Sequence, residues 1–246
     1  MSYKSPIEDF KYNLAMLNYD EVIAGIEKFK EYDSETLMSV VSEIGRLNEQ
    51  EVLDSNKIGD REGLKYVTDG AEGPEVHTPE RFKKLYDAVK SSGYVGATMP
   101  TQYGGGGAPF TTAILAGEIG IAANMAFYMG PGLSHGAMKT ILKKATEELK
   151  DKYLPNMTSG EWMGTMCLTE PQCGTDLGLI KSTAVPKDDH YELTGQKIWI
   201  SFGEHDLTEN IIHLVLARTP DAPEGIKGIS LFLVPKRLDD NSRNTI

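Results

Sequence analysis

The amino-acid sequence predicts an α+β fold in two parts, an all-helical domain over residues 1–160 followed by an antiparallel β domain over residues 161–246. The hydrophobic spacing carries the argument. From Ile7 to about Leu154 apolar side chains recur every three or four positions, the period of a half-buried helix. From Trp162 onward the pattern shortens into β-branched and apolar runs divided by Gly, Pro and Asp turns. The change falls near Thr158-Ser159-Gly160, and a helical block followed by strands indicates separate α and β layers. A chain of 246 residues is long enough to bury a full core in one large or two ordinary domains.

Taken in order, the first 60 or so residues read as an N-terminal helical extension. Ser34 or Asp33 can cap a helix whose stripe runs Leu37, Val40, Val41, Ile44 and Leu47. Thr78-Pro79 starts a helix carrying Phe82, Leu85 and Val89, and Gly93 is placed to end it. The glycine run Gly104 to Gly107 lacks the Gly-Lys-Ser/Thr ending of a phosphate loop and does not follow a parallel strand, so a tight turn is its expected use. Two further helices are expected, Phe110 to Met129 and Leu133 to Ala145. The first is so apolar that burial is predicted, with Glu118 a buried, paired carboxylate; Met125, Met129 and Met138 either line an apolar pocket or fill core, core being preferred. The expected strands are Trp162 to Thr169, Ile180 to Pro186, Tyr191 to Thr194, Lys197 to Ser201, Ile211 to Arg218 and Ile229 to Val234.

Composition excludes several classes of function. Thirty-six acidic against 25 basic residues give a net charge of −11, and no basic run interleaved with aromatics exists, which argues against a nucleic-acid partner. The amino terminus has no apolar signal region, and the window Ala113 to Met129 is interrupted by Glu118 and Asn124, so no secretory leader or membrane span is expected. Cys167 and Cys173 flank one turn without a second pair, which predicts free thiols in a reducing, cytoplasmic setting and no zinc site. The five histidines are scattered, and His205 in Gly203-Glu-His-Asp206 reads as a loop residue.

Two segments stand apart, Met166-Cys-Leu-Thr-Glu-Pro-Gln-Cys-Gly-Thr-Asp176 and Gly195-Gln-Lys-Ile-Trp-Ile-Ser201. Pro171 and Gly174 bend the chain at a strand end, freeing amides and the hydroxyls of Thr169 and Thr175 to bond a ligand's carbonyls or phosphates. If Lys197 to Ser201 is a strand, alternation places Trp199 and Ser201 on one face, converging with Thr169. Glu170 in this turn reads as a structural hydrogen-bonder.

These motifs resemble the flavin-binding half of the acyl-CoA dehydrogenases. The likeness extends from Glu80 through Lys236 and is nearest to the branch with an N-terminal helical extension, which includes 3-methylmercaptopropionyl-CoA dehydrogenases. The residues pointing to that branch include Tyr3-Lys-Ser-Pro6, Ala123-Asn-Met-Ala-Phe127, Ser159-Gly-Glu-Trp162 and Gly203-Glu-His-Asp206. Tyr103-Gly-Gly is similar to the loop that closes one side of the active-site region. Met166 and Gln172-Cys173 depart from the usual pattern.

The resemblance implies FAD as cofactor, held by Met166, Leu168, Thr169, Gly174, Thr175, Trp199 and Ser201. It implies α,β-dehydrogenation of an acyl-CoA thioester: a carboxylate removes the α-proton while the β-hydrogen passes as hydride to the flavin. The family's base is a Glu in a C-terminal helical domain, so no catalytic residue is assigned here and the chain is expected to be truncated before that bundle. An electron-transfer flavoprotein and self-association into a homo-oligomer are the implied partners. An acyl-CoA oxidase-like flavoenzyme and an inactive fragment acting only as an interaction domain are the alternatives.

Overall fold

A computed structural model describes residues 3–244. The extension folds as α1 (Ile7–Met16), α2 (Tyr19–Ala24) and α3 (Ser34–Leu47), which runs through a π-helical turn at Asn48–Val52 into α4 (Leu53–Glu62). Asp33 is the cap of α3, its carboxylate accepting from the Thr36 amide at 2.8 Å. The predicted stripe is buried at Leu37, Val41 and Ile44, with Leu37 and Val41 packing with Phe10, Leu14 and Ile23. Val40 from the same stripe is exposed.

The helical block is not all-helical. An antiparallel hairpin, β1 (Lys65–Gly70) with β2 (Gly73–His77), precedes α5 (Glu80–Ser91). Its strands bury no full side chain, so they carry no apolar alternation for a pattern reading to detect. Helix α5 buries Phe82, Leu85, Tyr86 and Val89, but Thr78 does not cap it. The Thr78 amide and hydroxyl instead donate to Asp206 at 2.9 and 2.7 Å, tying this helix start to the β half.

Helix α6 (Phe110–Lys144) is the central element, followed by α7 (Glu147–Ser159), whose left-handed Gly160 ends the helical half. The expected gap at Gly130-Pro131-Gly132 does not occur; the chain stays helical through Pro131. The break lies at Asn124, with extended φ −157° and ψ 91°. By length and composition α6 is apolar enough to cross a membrane. Here its buried positions pack on α3, α4 and α7, as a core helix does.

The β half begins with β3 (Trp162–Cys167), followed by β4 (Thr183–Pro186), β5 (Tyr191–Thr194), β6 (Asn210–Ala217) and β7 (Ser230–Pro235). Strand order β3-β6-β7 is mixed: β3 runs parallel to β6, and β6 antiparallel to β7, correcting the purely antiparallel expectation. The pair β4-β5 is antiparallel. Close approach of β3 to α6 requires Gly164, where a Cβ would lie 2.6 Å from that of Ala137. The Gly164 amide donates to the buried Ser134 hydroxyl at 3.0 Å. Met99, Met138, Leu154, Met157, Ile212 and Leu214 fill the core between this sheet and α6 and α7. Burying each such side chain stabilises by about 1.5–3 kcal/mol.

Candidate functional site

Strand β3 delivers the chain into the turn at Leu168-Thr169-Glu170, and a buried ion pair shapes that turn. Glu170 is only 3% exposed. One carboxylate oxygen accepts from the Lys181 amide at 2.8 Å and Gln172 Nε2 at 2.6 Å; the other accepts from the Ser182 amide at 3.1 Å and Lys197 Nζ at 2.8 Å. Burial alone would raise its pKa, but the donors from Lys197, Ser182, Lys181 and Gln172 win and hold it down to about 2. Glu170 is thus ionised and internally bound, a structural carboxylate rather than a proton acceptor. Reciprocal backbone bonds between Glu170 and Cys173 close the turn at 2.8 and 3.0 Å.

Lys197 also donates to the Leu168 carbonyl at 3.1 Å, and the Ile198 amide donates to the Thr169 carbonyl at 2.9 Å. Both carbonyls are therefore turned inward and satisfied. Among the described residues, the Leu168, Thr169 and Thr175 amides and the Thr169, Thr175 and Ser201 hydroxyls make no hydrogen bond within the chain. The turn presents a row of unspent donors toward solvent. At Gly174 an added Cβ would meet Thr169 at an ordinary 3.6 Å, so local packing does not demand glycine there.

The segment Lys197 to Ser201 is not a strand, which corrects the alternation argument. Trp199 and Phe202 take left-handed backbone, φ 60° and 55°. Among the described residues one backbone bond, Ile198–Thr169, ties the segment to the strand end, and the Lys197 side chain is drawn inward to Glu170 and the Leu168 carbonyl. Trp199 is 85% exposed beside the turn. The structure brings Leu168, Thr169, Gly174 and Thr175 onto one turn with the Trp199–Ser201 segment next to it. Met166 differs: it stands in β3 and packs against the core between the sheet and the helices.

Arg218 was not foreseen. Its guanidinium braces the outer side of the turn, donating to the carbonyls of Ile180 at 2.9 Å, Gly178 at 2.9 Å and Gly225 at 2.7 Å. A lone Arg ending a predicted strand gives no signal of such bracing; the two glycine-containing loops it joins, 178–180 and 223–225, do.

Other expectations fall differently. Glu118 is exposed on α6, not buried. Met138 is core, whereas Met125 and Met129 are exposed, as are Phe110, Ile114 and Ile121. The glycine run is a packed turn: the Gly106, Gly107 and Ala108 amides bond Gly96, Met99 and Ala97, and a Cβ on Gly105 would collide with the Met99 carbonyl. His205 is a buried loop residue whose Nδ1 accepts from the Leu207 amide.

Comparison with known proteins agrees with this geometry. The profile of the acyl-CoA dehydrogenase N-terminal domain matches residues 65–161, and that of the acyl-CoA dehydrogenase middle domain matches residues 165–244. A 3-methylmercaptopropionyl-CoA dehydrogenase of Ruegeria pomeroyi is 38% identical over 252 residues, covering 100% of this chain and 42% of the relative. A broad-specificity linear acyl-CoA dehydrogenase of Mycobacterium tuberculosis is 34% identical, covering 97% of this chain and 38% of the relative. The chain therefore spans about two fifths of these relatives. The structure of an acyl-CoA dehydrogenase from Geobacillus kaustophilus superposes with a TM-score of 0.68 at 26% identity, over 82% of this chain and 48% of that one. One from Bacillus anthracis, complexed with FAD, gives 0.65 at 25% identity, over 84% of this chain and 32% of that one. A helical half on a mixed sheet, with a donor-rich turn at the strand end, defines an α+β scaffold of the kind these relatives share. The chain belongs to the acyl-CoA dehydrogenase family.

Proposed function

We propose that this chain supplies the N-terminal and middle portions of a flavin-dependent acyl-CoA dehydrogenase, which introduces a double bond between the α and β carbons of an acyl-CoA thioester. The observation that carries this reading is the row of unspent donors at Thr169 and Thr175 beside exposed Trp199, backed by the Glu170–Lys197 pair. Those donors suit a ring edged with carbonyls and a pyrophosphate, the two polar parts of FAD. Bound FAD would take up the hydride leaving the β carbon.

The chain's own residues bind and orient. Leu168, Thr169, Gly174 and Thr175 offer backbone and hydroxyl donors, Trp199 a flat apolar face, and Ser201 a hydroxyl. Met166 supports the turn from beneath through core packing. The exposed apolar side of α6, with Ile121, Met125 and Met129, suits an acyl chain. Glu170, the buried carboxylate of the turn, is not poised as base, since it is ionised and fully bonded. An electron-transfer flavoprotein as electron acceptor, homo-oligomeric assembly and a cytoplasmic location complete the proposal.

The test is FAD titration of the chain while following tryptophan fluorescence. FAD is expected to quench the Trp199 emission, and the quench should vanish in Trp199→Phe. Equal quenching in that variant would reject the site.

A further inference from the structure

The N-terminal extension has no role in the site just described, and its polar contacts beyond itself fall on two places, Arg81 of α5, which donates to Glu51, and the stretch that opens α6. Tyr32 Oη donates to the Gly106 carbonyl at 2.6 Å, and Tyr3 Oη to the Ile119 carbonyl at 3.3 Å. Asn124 Nδ2 donates to Ser55 Oγ at 2.8 Å, and that hydroxyl donates to the Val52 carbonyl within the π-helical turn. Ile119 is packed among Phe10, Leu14, Leu37 and Val41. Apart from α5, whose Phe82 packs with Val52, what the extension grips lies between the glycine turn and Asn124, the front half of α6.

Asn124 explains why the grip stops there. Its Oδ1 accepts from the Phe127 amide at 3.1 Å, three residues on, so it is the N-cap of the second half of α6. One side-chain amide thus caps one helix and anchors the break to Ser55. Irregular turns inside helices commonly occur where position matters, and here a π-turn and a helix break meet through one hydrogen bond. Ile119 faces the extension. Ile114 and Ile121 lie about 140° and about 160° away around the same half-helix, at roughly 100° per residue, on the exposed side.

The geometry points to the extension as a brace that fixes the bend of α6 at Asn124, with Ser55 and Tyr32 as positioning residues for the apolar wall opposite. Resting on the proposed function, this wall receives the acyl chain, so the brace governs which chain lengths are accepted.

Amide hydrogen exchange on this chain reads the brace without any reaction. Ser55→Ala should speed exchange in peptides covering 104–124 by about fivefold, the worth of one hydrogen bond, and leave peptides over β6 and β7 unchanged. Tyr32→Phe, at the surface and harmless to the core, should do the same around Gly106. In the acyl-CoA-oxidising protein the same substitutions should change KM for long against short acyl-CoA thioesters while leaving kcat for the best substrate within about twofold. Exchange unchanged, or quickened equally everywhere, overturns the brace. Local loosening with an unaltered ratio of KM values overturns its part in chain-length selection. Absence of acyl-CoA oxidation by the unsubstituted protein would instead refute the proposed function and leave the exchange result to decide the brace.

Discussion

At Lys197 and Glu170, two neighbouring groups lose most of their water and gain each other. Removing two charges from water is expensive, and the excess is recovered here by four donors on the carboxylate and by the Leu168 carbonyl on the ammonium. Lys197→Met would leave Glu170 buried and short of its only cationic partner. It should lower stability by about 3 kcal/mol in urea unfolding, with Lys197→Met/Glu170→Gln less damaging than Lys197→Met alone. Equal losses in the two would show that the pair carries no coupling. Thr169 behaves oppositely, because its hydroxyl has no partner within the described chain. Thr169→Val should leave the thermal midpoint unaltered and weaken FAD binding about fivefold, about 1 kcal/mol. A shifted midpoint with unchanged FAD affinity would make Thr169 a structural residue.

At the level of elements, helix α6 shows what a sequence does and does not reveal. Its apolar run predicts one helix from Phe110 to Met129 and another from Leu133 to Ala145, with a gap at Gly130-Pro131-Gly132, whereas the break occurs at Asn124. Pro131 forfeits one intrahelical bond, to the Phe127 carbonyl, without ending the helix, and Ser134 adds a side-chain bond one turn on by donating its hydroxyl to the Gly130 carbonyl, 3.0 Å away. Asn124 breaks the helix through a side-chain cap whose second partner, Ser55, lies far away in sequence. No local period records such a bond. The same holds for Lys197 to Ser201: its alternation suggests a strand, and a tertiary pull on Lys197 overrides it. The motif around Thr169 was legible because its turn chemistry is local; its support by Arg218 and Lys197 was not, because that is tertiary. Asn124→Ala should cost about 1–2 kcal/mol, the worth of an N-cap together with the Ser55 bond. Helical circular dichroism followed through urea unfolding would measure it, and a midpoint matching the unsubstituted chain would contradict the capping role.

For the whole molecule, pH and exposure set the behaviour of the chain in isolation. Burial, followed by the nearby Lys236 charge, pushes His205 down to about 3 and His213 to about 4. In the unfolded chain both return to about 6.5. Between those values the unfolded state binds more protons, so the stabilisation present above pH 6.5 is lost as pH falls toward 4, by a few kcal/mol. Glu170 and Asp206, each held near 2, add a second loss from about pH 4.5 downward. The thermal midpoint should therefore fall between pH 7 and pH 5, before any carboxylate is protonated, and a flat profile in that window would contradict buried neutral histidines. Exposure decides cofactor retention. Trp199 stands 85% exposed, and Phe110, Ile114, Ile121 and Met125 form an uncovered apolar face. A flavin on this surface would keep edge hydrogen bonds while burying only one side of its ring. At about 25 cal/mol per Å2 of apolar area, half the burial of a large cofactor is worth several kcal/mol, enough to turn tight binding into weak binding. These 246 residues, prepared as an isolated polypeptide, should emerge colourless, inactive toward acyl-CoA, and prone to concentration-dependent self-association through the α6 face. Visible absorbance of the purified chain and light scattering across a dilution series measure both. Stoichiometric flavin surviving purification would mean that this half alone encloses the cofactor, contrary to the exposure of Trp199.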